Sequence, residues 1–225
     1  MKGFEFGTTA LRYPPQPSGT GSPDHPVPII LFLHGIGERG GPGDLDRAAT
    51  WGLPRLRASG WCLPDGSFPF EVIVPQCPMD KTWCDDDMQA RLDDFLDSLL
   101  ADRPVDRRKL YLTGFSMGGI GAFTLALRTP QRFAAVAPVC GRCVKSHGLH
   151  ALRHMPFWIA YAQDDEIVEL TEGSEEALRH LLPFGKTEKR AYKLGAHGDV
   201  SAHVRTCEYA YAEPALYEWF LENAI

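Results

Sequence analysis

A mainly parallel α/β sheet covered by helices on both faces is what this sequence predicts, and three observations predict it. Short continuous apolar runs recur along the chain, as strands buried on both faces require. Stretches with helical spacing of apolar residues fall between those runs, so strands and helices alternate. Finally, the run LYLT at 110–113 leads through Gly114-Phe115-Ser116-Met117-Gly118 straight into IGAFTLAL. That is a strand, a tight turn and a helix built from small residues.

The strand candidates, in order, are an edge strand at 4–13 and runs at 27–33, 70–75, 109–113, 133–139, 156–162 and 189–194. Between the first two, residues 14–28 are dense in proline, glycine and serine and read as a surface loop. The clearest helix covers 85–101, where Met88, Leu92, Phe95, Leu96, Leu99 and Leu100 share a face and three aspartates occupy the first turn. Further helices are expected at 117–127, 171–182 and 213–221. In such a sheet, ligands bind beyond the carboxyl ends of the strands, so functional residues are expected just after strands. The span between the strands ending near 139 and starting near 156 is too short for a separate lid, which implies an open site.

With 225 residues, 44% of them hydrophobic, the chain can bury one substantial core, and a single domain over 1–225 is expected. The formal net charge is −6 and the basic residues are dispersed among acidic ones, which argues against nucleic acid as a partner. The first residues carry glutamate and glycine where a signal peptide would be apolar, and no run is long enough to span a membrane; a cytoplasmic protein is expected. Six dispersed cysteines are then expected to be reduced thiols. Cys140-Gly141-Arg142-Cys143 has the spacing of a zinc or redox pair, but no second closely spaced ligand pair accompanies it, so no metal is assigned.

The chemistry is expected at Ser116. A serine hydroxyl needs a base to take its proton, and the base needs a carboxylate to fix its tautomer. On sheets of this kind those groups follow in the order serine, acid, histidine. Four carboxylates, Asp164, Asp165, Glu166 and Glu169, lie just past the strand at 156–162, and both His197 and His203 follow the last strand. His34 precedes the serine, and a loop-stabilising role is assigned to it. Charge developing on a substrate carbonyl oxygen needs preorganised N–H donors. The amide of Met117 is one candidate; the glycine-rich loop HGIGERG after the strand at 27–33 offers a second, assigned to Ile36.

Four stretches taken together, LFLHGIGERGG (31–41), VPQCP (74–78) with Trp83 following, LTGFSMGGIG (112–121) and YAEPALYEWFL (211–221), resemble the α/β-hydrolase superfamily. The likeness is to small bacterial carboxylesterases and predicted peptidases related to dienelactone hydrolase and to the phospholipase/carboxylesterase family. The resemblance implies hydrolysis of small or short-acyl carboxylic esters by a serine, histidine and aspartate triad without a cofactor. Matching AQDDEIV (162–168) to the family's Gly-x-x-Asp-x-x-Val pattern places the acid at Asp165. The family's spacing before the Tyr-x-x-Pro of the last helix, here Tyr211 to Pro214, favours His203 over His197, although His197 lies nearer the strand end. The resemblance also implies that Gln76 and Trp83 lie near the substrate pocket. Two departures stand out: the chain has Tyr161-Ala162 where the family has His-Gly, and Ala202-His203 where it has Gly-His. Other readings of the same residues are acyl transfer or cyclisation, thioester or peptide cleavage, and a hydrolase fold used only for binding.

Overall fold

The computed structural model describes residues 10–16, 25–41, 43–101, 104–169 and 173–225. Seven strands form one sheet: β1 (Ala10–Tyr13), β2 (Val27–Leu33), β3 (Glu71–Pro75), β4 (Val105–Phe115), β5 (Ala135–Val139), β6 (Phe157–Ala162) and β7 (Thr187–Tyr192). Their spatial order is β1-β3-β2-β4-β5-β6-β7, with β1 antiparallel to β3 and every other pairing parallel. Six α-helices accompany them: α1 (Leu53–Ala58), α2 (Asp86–Ala101), α3 (Met117–Arg128), α4 (Ser174–Leu181), α5 (Ala202–Tyr211) and α6 (Pro214–Glu222). Among the described residues, no helix is long and apolar enough to cross a membrane.

The strands sort their side chains by parity, as the two-residue period of an extended chain requires. In β2, Ile29, Leu31 and Leu33 join a buried cluster with Leu92 and Leu96 of α2, Phe123 of α3 and Leu178 of α4. The intervening Ile30 and Phe32 join a second cluster with Leu53 of α1, Tyr211 of α5, and Tyr217 and Phe220 of α6. Each face of the sheet is therefore sealed by three helices, which is why the central strands read as unbroken apolar runs.

The edges of the sheet depart most from the expected boundaries. β4 begins at Val105, four residues before the expected start, because its first half is polar and partly exposed. β7 runs over Thr187–Tyr192 instead of 189–194, since this last strand is half exposed and mixes polar with apolar positions. Helices α1 and α5 carry no aliphatic stripe and were not expected; the buried face of α5 is Ala202, His203, Thr206, Cys207, Ala210 and Tyr211. Parts of three expected elements, residues 4–9 of the first strand, 17–24 of the loop and 171–172 of the third helix, lie outside the described residues.

The order of the strands positions the site. The chain passes from β2 outward to β3, then crosses back over β2 to β4 and continues to β7, so the winding direction switches between β2 and β4. Loops at the carboxyl ends of strands flanking such a switch diverge and leave a crevice. Leu33 at the end of β2 pairs with Gly114 near the end of β4, which sets the loop beginning at His34 beside Ser116.

Close backbone approach makes this junction possible. A Cβ on Gly118 would lie 1.8 Å from the carbonyl oxygen of Leu33, and one on Gly114 would lie 2.4 Å from that of Gly118. Neither contact can be relieved by moving a flexible side chain. Gly118→Ala is therefore expected to destabilise the protein by roughly 3 kcal/mol or more, at the upper end of single-substitution effects. Denaturant titration of the purified variant checks this; stability within about 1 kcal/mol of wild type would contradict it.

Candidate active site

Ser116 occupies the turn from β4 into α3 with φ 57 and ψ −117, a left-handed backbone that costs a non-glycine residue on the order of 1–2 kcal/mol. The turn is held on both sides: the N–H of Ser116 donates to the carbonyl of Val139 at the end of β5 (2.9 Å), and its carbonyl accepts from the N–H of Ile120 (3.0 Å). The side chain is 9% exposed. Met117 follows as the first residue of α3, so its N–H belongs to the donors that a helix leaves unpaired at its amino end.

The turn after β6 holds the carboxylates. Oδ1 of Asp165 accepts from the N–H groups of Ile167 and Val168, each at 2.9 Å, while Oδ2 lies 2.7 Å from Nδ1 of His203. Burial raises the Asp165 carboxyl, but the imidazole of His203 and the Val168 and Ile167 amides outweigh it and hold the group below the ordinary carboxylate range. Its neighbours are used differently. Asp164 accepts from the N–H of Gly195 (2.8 Å) and Glu166 from the N–H of Ala202 (3.0 Å), so both fasten the segment that leads to the histidine.

His203 is the second residue of α5, a helix capped by Ser201, whose hydroxyl accepts from the N–H of Val204 (3.2 Å). With Nδ1 on Asp165, the ring packs 4.8 Å from that of Phe115, the residue before Ser116. Its Nε2 is buried and makes no hydrogen bond. His197 is exposed in a small turn bridged to Val200 and makes no contact of this kind. The structure thus joins His203 to Asp165 and sets His197 apart from them.

The loop after β2 is fastened from several directions. Its carbonyls accept from side chains: that of Ile36 from Arg39 (3.1 Å), that of Gly37 from Arg47 (3.1 Å) and that of Glu38 from Gln76 (2.6 Å). Trp83 donates its indole N–H to the carbonyl of His34 (2.8 Å) and meets the His34 ring edge-on at 5.1 Å. Gln76 and Trp83 are both fully buried and brace this loop through those bonds. Ile36 is exposed and opens a short 3-10 turn, Ile36–Glu38.

Sequence reasoning assigned no role to Glu38 and weighed Cys140 only as one end of the Cys140–Cys143 pair. Glu38 is buried; burial raises its carboxyl, while the Gly35 amide and Arg47 partly offset that shift. It fits because residue 35 is glycine: a Cβ there would lie 2.7 Å from the Glu38 carboxylate. Cys140, at the end of β5, has φ 49 and lies against the Asp165 and His203 pair. Their sequence signals are weak: Glu38 lies in the glycine-rich loop after β2, and Cys140 directly follows β5.

A serine on a strained strand-to-helix turn at the switch point of a mainly parallel sheet, with an aspartate-anchored histidine later in the chain, defines the α/β-hydrolase class. Residues 15–204 match the model of the Esterase family, described as "Putative esterase", and the chain belongs to that family of hydrolase-fold enzymes. Among solved structures, a thermostable esterase is similar at 26% identity and a TM-score of 0.77, with 96% of this chain covered. This chain spans only 59% of that protein's length. Esterase PE8 matches at 20% identity and a TM-score of 0.59, with 90% of this chain and 96% of that one covered. A phospholipase/carboxylesterase from Dyadobacter fermentans matches at 11% identity and a TM-score of 0.53, with coverage of 91% and 96%. These last two likenesses concern the fold alone. No curated protein sequence matches the chain significantly.

His34 gives this site a pH-dependent foundation. Its Nδ1–H donates to the carbonyl of Gly35 (2.8 Å) and its Nε2 accepts from the N–H of Cys77 (3.0 Å), so the ring must stay neutral. Burial, opposed in part by the Gly35 carbonyl, lowers it from 6.5 to about 4. The unfolded chain then binds a proton below 6.5 that the native state refuses until about 4, so stability is lost as pH falls through that window. The slope is about 1.4 kcal/mol per pH unit. Urea titrations at pH 7 and pH 4.5 are expected to show a drop about 2 to 3 kcal/mol larger in wild type than in His34→Gln. Equal drops in the two proteins would contradict this reading.

Proposed function

We propose that the chain hydrolyses carboxylic esters through an acyl-enzyme on Ser116, with His203 as general base and Asp165 as its anchor. The observation that carries this reading is the pairing of His203 Nδ1 with Asp165 at 2.7 Å while Nε2 stays buried and unpaired. An imidazole so held presents its other nitrogen as a lone-pair acceptor, the state in which it can take the proton of a hydroxyl.

In this mechanism Ser116 Oγ attacks the ester carbonyl carbon as its proton passes to Nε2 of His203. Asp165 keeps the proton on Nδ1 and stabilises the imidazolium. The carbonyl oxygen, now negative, is met by the N–H groups of Met117 and Ile36, where removal of one such donor costs about 3 to 4 kcal/mol in comparable enzymes. Occupied carbonyls at Ile36, Gly37 and Glu38 support the assignment of the Ile36 amide, because they restrain the loop from rotating those acceptors toward the anion. Nε2 then returns its proton to the leaving alcohol, and a water activated by the same nitrogen releases the acid. The residues themselves supply every group this cycle uses, so it needs no cofactor.

The substrate is a small ester presented from solvent. The carboxyl edge of the sheet carries exposed Ile36, Met79, Val144 and Ile167, on the loops after β2, β3, β5 and β6. These apolar groups suit short acyl or aryl substituents, and only a short segment with a 3-10 turn at Ser146–Leu152 separates β5 from β6. Six free thiols fit a reducing compartment such as the cytoplasm, and one domain over 1–225 fits the single sheet.

A fluorophosphonate probe is expected to label Ser116 in wild type and nothing in Ser116→Ala, as read by peptide mass. A series of p-nitrophenyl esters is expected to favour acetate and butyrate over decanoate, and Ser116→Ala to lose at least about a thousandfold in kcat/KM with its far-UV circular dichroism unchanged. Labelling at another serine, or near-wild-type turnover in the variant, would contradict the proposal.

A further inference from the structure

Cys140 is buried against the proposed triad and the mechanism above leaves it unused. Its Sγ, a carboxylate oxygen of Asp165 and a ring nitrogen of His203 all lie within 4.8 Å of one another. Among the described residues only two non-glycine residues have positive φ, and they are Ser116 and Cys140. A glycine at 140 would remove that strain, so the thiol is carried at a conformational cost.

The backbone around Cys140 ties the strand of the nucleophile to the strand of the acid. Val139 accepts from the N–H of Ser116, while the N–H of Cys140 donates to the carbonyl of Ala160 in β6 (2.8 Å). Gly141 then lies flat on α3, where a Cβ would come within 2.6 Å of the Gly119 backbone. With its main chain pinned this way, the left-handed turn aims the side chain at the turn after β6. Two acceptors lie near the thiol: the main-chain carbonyl of His203 at 3.8 Å and a carboxylate oxygen of Asp165 within 4.8 Å. A charged acceptor is the stronger of the two.

Resting on the triad reading, we propose that Cys140 is a positioning residue whose S–H donates to the Asp165 carboxylate and thereby limits how strongly that carboxylate stabilises protonated His203. Burial and then the charge of Asp165 push the thiol well above its ordinary range, so it remains a donor throughout the working pH range. The other titratable groups facing this cluster are Glu166 on the same turn, Glu38 from the loop after β2, Tyr192 at the end of β7, and Cys207 and Tyr211 of α5. None of them changes in the variants below.

The sign follows from the shared carboxylate. Each donor on Asp165 draws negative charge away from the imidazolium. Removing the thiol leaves the charge to His203, which then holds its proton to higher pH and becomes a slower base near neutrality. In Cys140→Ala the acid limb of the kcat/KM profile for p-nitrophenyl acetate is expected to move up by about half a pH unit. Its kcat at pH 7 should fall by up to about threefold, the most such a shift allows, with KM within about twofold of wild type. Cys140→Ser restores a donor at the same place, and its acid limb should return to the wild-type position. Cys140→Gly, which relieves the positive φ, repeats the Ala comparison if that variant folds poorly. Superposable profiles for wild type, Ala and Gly, or identical shifts in Ala and Ser, would overturn the proposal and leave Cys140 a filler of space. His203→Ala, measured alongside, separates the two claims: if it retains activity, the triad reading itself falls and the role of Cys140 falls with it.

Discussion

Everything at the carboxyl edge of this sheet depends on how closely the start of α3 can approach the end of β2. Gly118 lies so near the carbonyl of Leu33 that no side chain fits, and that contact fixes both the left-handed turn at Ser116 and the departure angle of the loop beginning at His34. Strain at Ser116 persists because the surrounding hydrogen bonds over-determine it: its N–H is bound to Val139 and its carbonyl to Ile120. The strand order adds the second half of the constraint. Because the winding reverses between β2 and β4, these two strand ends are neighbours and their loops cannot close over one another.

Around that junction the buried polar groups are arranged in two separate networks. One lies under the loop after β2, where His34, Gln76, Trp83 and Glu38 bind backbone atoms and hold the loop in shape. The other joins Asp165, His203 and Cys140 after β5 and β6 and on α5. Each network holds a histidine, but to opposite ends. His34 has both ring nitrogens occupied, which suits a structural role. His203 has one nitrogen occupied and one buried without a partner, an expensive arrangement unless a proton is to be exchanged there.

Much of this was legible in the sequence, for identifiable reasons. The central strands declared themselves because both faces are buried, so β2, β3, β5 and β6 read as continuous apolar runs, and α2 declared itself through a leucine-rich stripe. Ser116 was legible because glycine at 114 and 118 is forced by contact. The early half of β4 and the last strand were obscured by their polar, partly exposed residues. Helix α5 was missed for another reason: its buried face combines alanine with histidine, threonine, cysteine and tyrosine, which form no aliphatic stripe and, alanine apart, prefer a helix only weakly. That omission mattered, since α5 carries His203, and distance from the preceding strand alone pointed toward His197. Gln76 and Trp83 were placed near the substrate pocket by the family resemblance; their burial against the loop after β2 depends on tertiary packing that no local pattern encodes.

The central claim is that Ser116 and His203 act as one unit, which a double-mutant cycle tests directly. Measured as kcat/KM on p-nitrophenyl acetate, His203→Ala and the Ser116→Ala/His203→Ala double variant are predicted to retain nearly the same residual rate as Ser116→Ala alone, because a unit lost once cannot be lost again. Losses that multiply in the double variant would show two groups acting independently and would contradict the account.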